Sequence, residues 1–221
     1  MDTYVQALSD MQAEGSIEMR TYGGLTAEER RSARRRRIMD SALELFSVQG
    51  YPHTSIRSVL RHSGVQERYF TESFSSLDAL MAAVLREIQE DEAVGCQRAL
   101  NEGGTRRDRA RRMLDVLTHG VTDDPRKGRV KLIESLSAGP LAAGERRRGL
   151  RHMAGLVESL LLADRHDPRI DTTAMSMAVV GGVNQILLNW VDGILRTSRE
   201  DVVQQSLYFF EAIAEFGSDA R

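Results

Sequence analysis

The stretch that most constrains the fold of this chain is residues 34–80, where three short amphipathic segments follow one another closely. In the first, Ile38, Ala42, Leu45 and Phe46 recur at the spacing of one helix face. A capping-box pattern, Thr26-Ala-Glu-Glu, predicts that this helix begins near residue 27. A glycine at position 50 predicts its end.

The next two segments are joined by a tight turn. Thr54 and Ser55 are cap residues for a second helix, and Gly64 supplies a turn in which a positive φ is easy. Val65 would fill the corner between the second helix and a third one that ends near Phe70. Three helices of this length with this turn predict a helix-turn-helix, a unit that places its last helix in the major groove of DNA.

Residue types on this unit suit contacts with DNA. Gln66 can pair with adenine, and Arg68 with guanine or phosphate. Tyr69 can contact a thymine methyl or a phosphate, while Ser55 and Arg57 are placed for phosphates. The candidate DNA contacts are Arg34, Arg35, Arg36, Arg37, Thr54, Ser55, Arg57, Gln66, Arg68 and Tyr69.

The charge distribution supports the same interpretation. Residues 30–70 hold nine arginines and three acidic residues, although the chain has a net charge of −2. A basic patch on an acidic body suits a protein that docks one end on a polyanion. Four of the arginines are consecutive, Arg34–Arg37, and cover most of the helix circumference. We therefore expect the first helix to project beyond the core there, with these side chains spread around it.

The motifs RIMDSALELF, GY, TSIRSV, SGV and RYF, followed by SFSSLDAL, resemble the N-terminal domain of TetR-family transcriptional regulators. The resemblance implies a dimer that binds a near-palindromic operator of about 15–20 bp, with two half-sites one turn apart. It also implies that an effector releases the dimer from this operator. Two positions depart from the family pattern. The aligned pair Phe70-Thr71 lacks the usual tyrosine, and Leu77 replaces the usual lysine. We expect the Arg34–Arg37 run to supply the missing phosphate contacts.

The rest of the chain is predicted to be helical throughout. Amphipathic segments cover roughly residues 75–103, 105–118, 128–138, 141–164, 172–196 and 199–216, and no strand-like alternation of useful length occurs. We therefore predict an all-α fold of about nine helices. A mobile arm (residues 1–25) precedes a helix-turn-helix DNA-binding domain (26–74) and a helical effector-binding and dimerisation domain (75–221).

The second half contains candidates for an effector pocket and for a dimer interface. Methionines suit an adaptable apolar pocket, and polar side chains in apolar helices could orient a ligand. The pocket candidates are Met113, His119, Glu134, Met153, Met177, Asn184 and Gln185. The segment 172–196 is apolar nearly all round and, with the last helix, resembles the dimerising pair of the family. The interface candidates are Val183, Leu187, Trp190, Leu207 and Phe210.

An arginine cluster, Arg146, Arg147, Arg148 and Arg151, is interpreted as a solvated face, with the entrance for an anionic ligand as the alternative. Cys96 is the only cysteine, which excludes an intrachain disulfide and favours a reducing compartment. We interpret it as a small apolar filler. No apolar run is expected to span a membrane, and the first 20 residues do not resemble a secretory signal. These observations predict a cytoplasmic protein.

The function predicted from these patterns is a DNA-binding transcriptional regulator, expected to be a repressor. Its partners would be an operator, a small-molecule effector and a second copy of the chain. Two alternatives stay open. One is a helical small-molecule-binding protein with weakened or lost DNA binding. The other is an all-α enzyme, although no phosphate loop, catalytic carboxylate pair or activated nucleophile stands out. We predict no cofactor and no metal site.

Overall fold

The computed structural model describes residues 26–161 and 171–218, with side chains up to residue 215. These residues contain nine α-helices and no strand, which confirms the predicted all-α fold. Two 3₁₀ turns, Tyr51–His53 and Glu134–Ser137, interrupt the helices. The helices are α1 (Ala27–Gln49), α2 (Ile56–Ser63), α3 (Glu67–Thr71), α4 (Leu77–Asn101), α5 (Arg106–Thr122), α6 (Pro125–Leu132), α7 (Pro140–Leu161), α8 (Thr172–Val191) and α9 (Arg199–Ser218). The predicted arm, residues 1–25, lies outside the described residues.

The predicted start and end signals of α1 are confirmed. The Thr26 hydroxyl accepts a hydrogen bond from the Glu29 amide at 3.1 Å, and the Glu29 carboxylate accepts one from the Thr26 amide at 2.6 Å. Together these bonds satisfy two N–H groups that the first turn leaves without helical partners. The helix ends at Gly50, whose φ of 86° favours glycine.

The first three helices enclose a small apolar core that α4 completes. Ile38, Phe46 and Val59 are fully buried, and Leu80 on α4 closes the core from the other side. Leu45, which the sequence places on the inward face, is half-buried at its edge. Because α4 contributes to this core, the first three helices and the start of α4 form one packed unit.

A second apolar core lies between α4, α5, α7, α8 and α9. Leu160, Val203 and Leu207 are fully buried at its centre. The segment predicted as one helix over 128–138 forms α6 and then the turn Glu134–Ser137. The helix begins earlier than predicted because Asp124 caps it and Pro125 occupies its first position.

The most apolar helix is α8, in the segment that the sequence analysis found apolar nearly all round. Among the described helices α8 alone is long and apolar enough to cross a bilayer by length and composition, with a mean hydropathy of 1.3 over its best window. A helix that packs in a protein core can pass the same test, so this composition is weak evidence for a membrane span. In the structure Val179, Val183 and Leu187 of α8 pack into the second core, but only 28% of that window is buried within the single chain.

Cys96 provides a direct test of the second core. Its side chain is fully buried, as the sequence analysis predicted, and this burial raises the pKa of the thiol to about 12. We expect the folded protein to resist dithiobis(nitrobenzoate) at about pH 8, because the attacking species is the thiolate. In denaturant one thiol per chain should react at once, and rapid reaction of the native protein would contradict this packing.

Candidate functional site

The helix-turn-helix presents one polar surface to solvent. Gly64 adopts φ 63°, and its amide donates to the Leu60 carbonyl at 3.0 Å, which closes α2. Val65 is buried in the corner that the sequence assigned to it. After this turn Gln66 and Arg68 are exposed at the start of α3, where a recognition helix contacts base edges.

Tyr69 lies between two arginines on this surface. The guanidinium of Arg34 is 4.1 Å from the centre of its ring, and that of Arg68 is 4.6 Å away. Arg68 also donates from Nη2 to the Tyr69 hydroxyl at 2.7 Å. Stacking on an aromatic face leaves the edge of a guanidinium free to donate hydrogen bonds. Tyr69 therefore contacts both Arg34, on α1, and Arg68, on α3.

The other three residues of the Arg34–Arg37 run each contact a neighbouring element, although Arg36 and Arg37 remain exposed. Arg35 packs over the Phe74 ring at 4.5 Å, and burial lowers its pKa. Arg36 donates to Glu87 of α4 at 2.5 Å, and this hydrogen bond raises the pKa of Arg36. Arg37 donates to a backbone carbonyl at the end of α2, also at 2.5 Å. Each side chain bends back because α2, α3 and α4 lie beside this turn of α1.

The residues at the start of α2 divide into supporting and exposed ones. Thr54, a predicted DNA contact, is buried, and its hydroxyl donates to the Gly50 carbonyl at 2.8 Å. This hydrogen bond turns the Thr54 side chain inward, so that it supports the loop before α2. Thr54 is therefore no longer a candidate DNA contact. Ser55 caps α2 by accepting from the Ser58 amide and stays exposed, as does Arg57 two residues later.

A cavity of about 240 Å³ lies inside the second half, between α4, α5, α6, α7, α8 and α9. Its walls are mostly apolar, as in ligand-binding pockets generally. Three of the predicted pocket residues, Met113, Met153 and Asn184, line it. The apolar part of the wall includes Leu114, Leu117, Leu132, Val157, Leu160, Val179, Val180, Leu187 and Phe210.

Four other predicted pocket residues do not reach the cavity. His119 is exposed, with its Nδ1 2.8 Å from the Asp115 carbonyl oxygen one turn earlier. Met177 and Gln185 lie on the outer face of α8, where Met177 is 53% exposed. These predictions failed because helical spacing does not show which face of an apolar helix points inward. The fourth residue, Glu134, lies at a different site.

Glu134 joins the two halves of the molecule. It is buried in the turn Glu134–Ser137, and its Oε2 accepts a hydrogen bond from the Tyr51 amide at 2.9 Å. Its Oε1 pairs with Arg129 at 3.1 Å. A Cβ at Gly50 would lie 3.1 Å from the same carboxylate, so the glycine also permits the close approach. The carboxylate thus contacts the backbone directly after α1.

Two more side chains connect the halves. Asp78, in the first turn of α4, accepts hydrogen bonds from the Leu141 and Ala142 amides at 2.9 and 3.0 Å, and so caps α7. Arg126 of α6 pairs with Glu44 of α1 at 2.9 Å. The start of α4 and the end of α1 are therefore both held by the segment from α6 to α7.

One end of the cavity is polar. Lys131 and Glu92 form an ion pair in its wall, with N–O distances of 2.5 and 2.7 Å and side chains 13% and 8% exposed. The wall at this end also contains Gln89, Glu90, Arg146, Arg148 and His152. Since Lys131, Leu132 and Leu136 flank Glu134, the cavity wall and the junction with the first domain share one segment, residues 131–136.

Four of the predicted interface residues lie inside the subunit. Val183, Leu187 and Phe210 line the cavity, and Leu207 is fully buried in the core. Half-buried Trp190 donates from its indole nitrogen to the Thr197 carbonyl at 3.0 Å. The predicted interface residues lie on the inward faces of α8 and α9. Because both faces of these helices are apolar, the sequence did not show which face is exposed.

The outer faces of α8 and α9 form an exposed stripe of small and apolar residues. Gly182 allows the two helices to approach closely, since a Cβ there would lie 2.6 Å from the Phe209 ring. On the neighbouring turn Gly181 faces open space. The outer-face stripe consists of Met177, Ala178, Gly181, Gln185, Tyr208, Phe209 and Ala212, all exposed.

The comparisons with known proteins agree with this geometry. Residues 38–84, which include the helix-turn-helix, match the family model described as "Bacterial regulatory proteins, tetR family". Over these residues the chain is therefore similar to that family. No match is found among curated protein sequences.

Solved structures share the fold of this chain beyond the matched residues. The fatty acid degradation regulator FadR from Bacillus halodurans aligns with a TM-score of 0.71 at 14% identity, over 80% of this chain and 94% of its own. FadR from Bacillus subtilis, solved in complex with stearoyl-CoA, gives 0.70 at 12%, over 79% and 96%. The multidrug binding protein EbrR, complexed with imidazole, gives 0.61 at 24%, over 80% and 94%.

Sequence reasoning missed the polar end of the cavity. The cavity lining of α7 includes Arg146, Gly149, Leu150, Met153, Val157 and Leu160, a recurrence at helical spacing that the sequence already contains. The arginine cluster in this segment obscured that pattern. The Lys131–Glu92 pair lies 39 positions apart in the chain, and only the packing of α6 on α4 brings it together.

Removing the Glu134 carboxylate tests the junction. We expect Glu134→Ala to lower the free energy of unfolding by about 1–3 kcal/mol, because the Tyr51 amide loses its acceptor in a partly buried place. Glu134→Gln should cost less, since an amide oxygen can still accept that bond. Urea unfolding followed by circular dichroism measures both.

Glu44→Ala is the matched control for this junction. It removes the ion pair of Glu44 with Arg126, whose two side chains are 38% and 46% exposed. An exposed pair contributes about 0–1 kcal/mol. A Glu134→Ala protein no less stable than the Glu44→Ala protein would contradict the role assigned to Glu134.

Proposed function

We propose that this protein is a dimeric transcriptional repressor of the TetR family that binds a near-palindromic operator and is released from it by a small-molecule effector. One observation carries the proposal. The segment 131–136 forms part of the cavity wall and, through Glu134, holds the backbone that follows α1. A ligand in the cavity therefore acts on the support of the helix-turn-helix without touching DNA.

The exposed surface of α2 and α3 supports the DNA-binding part of the proposal. Gln66 and Arg68 are the base-reading candidates, because both are exposed at the start of α3. Ser55 and Arg57 are the phosphate candidates on α2. Arg34 joins them, because its guanidinium stacks on the ring of Tyr69, which neighbours Arg68 on α3. This set replaces the full Arg34–Arg37 run as the source of backbone contacts.

The outer-face stripe on α8 and α9 supports the dimer. Within one subunit most of the apolar α8 window is uncovered. A second copy packed on the stripe would cover it as a four-helix bundle, with Gly181 at a position where two backbones can approach closely. A two-fold dimer would also place two recognition helices on the two halves of a near-palindrome.

Release requires that the effector bind one conformation of the protein more tightly than the other. The free protein holds the first domain through Glu134 on the Tyr51 amide and through the Asp78 cap on α7. A ligand that displaces the segment between α6 and α7 would shift both contacts. The tilt of α4 that follows would change the spacing of the two recognition helices in the dimer.

Electrophoretic mobility shifts with DNA flanking the gene test the function. We expect a near-palindrome of about 15–20 bp to bind as a dimer complex. Gln66→Ala should reduce discrimination between operator and unrelated DNA by about 1–3 kcal/mol, because it removes a base contact. Arg57→Ala should weaken binding to all sequences alike and lower the salt slope by about 1, because it removes a phosphate contact.

Arg98→Ala is the matched control for these variants, since Arg98 is exposed on α4 far along the chain from α2 and α3. Identical behaviour of the Gln66 and Arg57 variants would contradict the division between base and phosphate contacts. Complete absence of DNA binding by the intact protein would favour the second candidate, a ligand-binding protein that has lost DNA binding. Exposed Glu67 and Glu72 beside Arg68 are the features that favour it.

The oligomeric state tests the outer-face stripe. We expect Met177→Glu or Gly181→Glu to convert a dimer into monomers, because each would bury a charge without a partner. Sedimentation velocity measures the change. Val94→Glu, at an apolar position of α4 that is 61% exposed, is the control and should stay dimeric. A dimer that persists in both stripe variants would place the interface elsewhere.

A further inference from the structure

The cavity changes character along α7. Its lining from Arg146 to Leu160 spans 15 residues, or about 21 Å of helix. At the first end Arg146 contacts the turn Glu134–Ser137, and Gln89 packs on Gly149 one turn further along α7. The later part of this face, Met153, Val157 and Leu160, is apolar. A molecule that fills this space has one polar end and an apolar body.

Arg146 is the cation of the lining that has no carboxylate partner among the described residues. It is half-buried and donates from Nη1 to the Ser135 carbonyl at 2.9 Å. The two other cations of the lining are neutralised, because Lys131 pairs with Glu92 and Arg148 pairs with Glu145. A partly buried guanidinium that has only a carbonyl as partner favours an anion nearby.

Gln89 gives a second, independent observation at the same end. Its Oε1 is buried and has no hydrogen-bond partner, although buried amide oxygens almost always have one. The amide packs so closely on Gly149 that a Cβ there would overlap it. Because a terminal amide can turn over and exchange its oxygen for its NH₂ group, Gln89 can offer the cavity two donors.

We propose that the effector is an amphipathic anion. Its single anionic group binds the free edge of the Arg146 guanidinium with help from the Gln89 amide, and its apolar body extends towards Leu160. The proposal names the ligand class of the site described above, and it rests on the proposed function only for its regulatory consequence.

The remaining charges of the lining disfavour a cation. The Glu92 carboxylate is bound through both oxygens to the Lys131 ammonium. The Glu90 side chain is 61% exposed at the rim and lies 3.7 Å from Arg148. A cationic ligand would therefore meet Arg146 without a free buried carboxylate to neutralise it.

The same contact explains how an anion would act on the junction. In the free protein Arg146 is bonded to the carbonyl of Ser135, within the turn Glu134–Ser137 that also carries Glu134. An anion competes with this carbonyl for the guanidinium. Its binding would loosen the turn that holds the Tyr51 amide. Three contacts in series would then connect the ligand to the first domain: the anion with Arg146, Arg146 with Ser135, and Glu134 with Tyr51.

Isothermal titration calorimetry on the intact protein tests the ligand class. The probes are octanoate, decanoate and dodecanoate, with decanol and decylamine as neutral and cationic counterparts of decanoate. We expect at least one carboxylate to bind, decanol to bind more weakly than decanoate, and decylamine not to bind. Arg146→Gln should weaken carboxylate binding at least tenfold, which corresponds to about 1.4 kcal/mol.

The matched control is Arg147→Gln, which removes an exposed arginine one residue further on. It should bind carboxylates as the unmodified protein does, and thermal melts of both variants establish that they are folded. Equal affinity of the two variants, tighter binding of decylamine, or no binding of any carboxylate would overturn the proposal. Because this experiment contains no DNA, the ligand proposal and the DNA-binding proposal can be contradicted independently of each other.

Discussion

The buried carboxylate of Glu134 is the contact on which the arrangement of the two domains depends. It lies in a turn between α6 and α7 and accepts the amide of Tyr51, the first residue after the glycine that ends α1. A buried carboxylate needs hydrogen-bond or ionic partners, and here they come from both halves, the Tyr51 amide and the Arg129 guanidinium. Any displacement of the turn therefore leaves a buried charge short of a partner, and this energetic cost couples the two domains.

The long helix α4 transmits the same coupling along a second route. Its first turns complete the small core of the helix-turn-helix, and its later turns line the cavity with Gln89 and Glu92. Asp78 anchors its start to the amides of α7. A packed core does not deform continuously, so a shift of α7 must move α4 as a unit or break this cap. The two routes meet in the segment between α6 and α7, where the cavity wall also lies.

The sequence predicted the local features well and the faces of the later helices poorly. Caps and turns at Thr26, Gly50 and Gly64 were predictable, because each depends on backbone groups a few residues apart. The cavity and the interface were not, since α8 is apolar on both faces and only tertiary packing decides which one is inside. Glu134 was chosen as a pocket residue for being a polar group in an apolar context. In the structure the Glu134 carboxylate instead accepts a hydrogen bond from the Tyr51 amide, 83 positions away in the chain.

The arginines of the first helix show why residue type alone overestimates a DNA contact. A guanidinium held by a carboxylate, as Arg36 is by Glu87, would have to give up a charged partner before it could bind a phosphate. Stacking has the opposite effect, because Arg34 on the Tyr69 ring keeps its donors available while its side chain is already ordered. Ordering in the free protein reduces the entropy that binding would otherwise lose. Within the run we therefore propose Arg34, which an aromatic ring holds, as the phosphate contact, with Tyr69 as the residue that positions it.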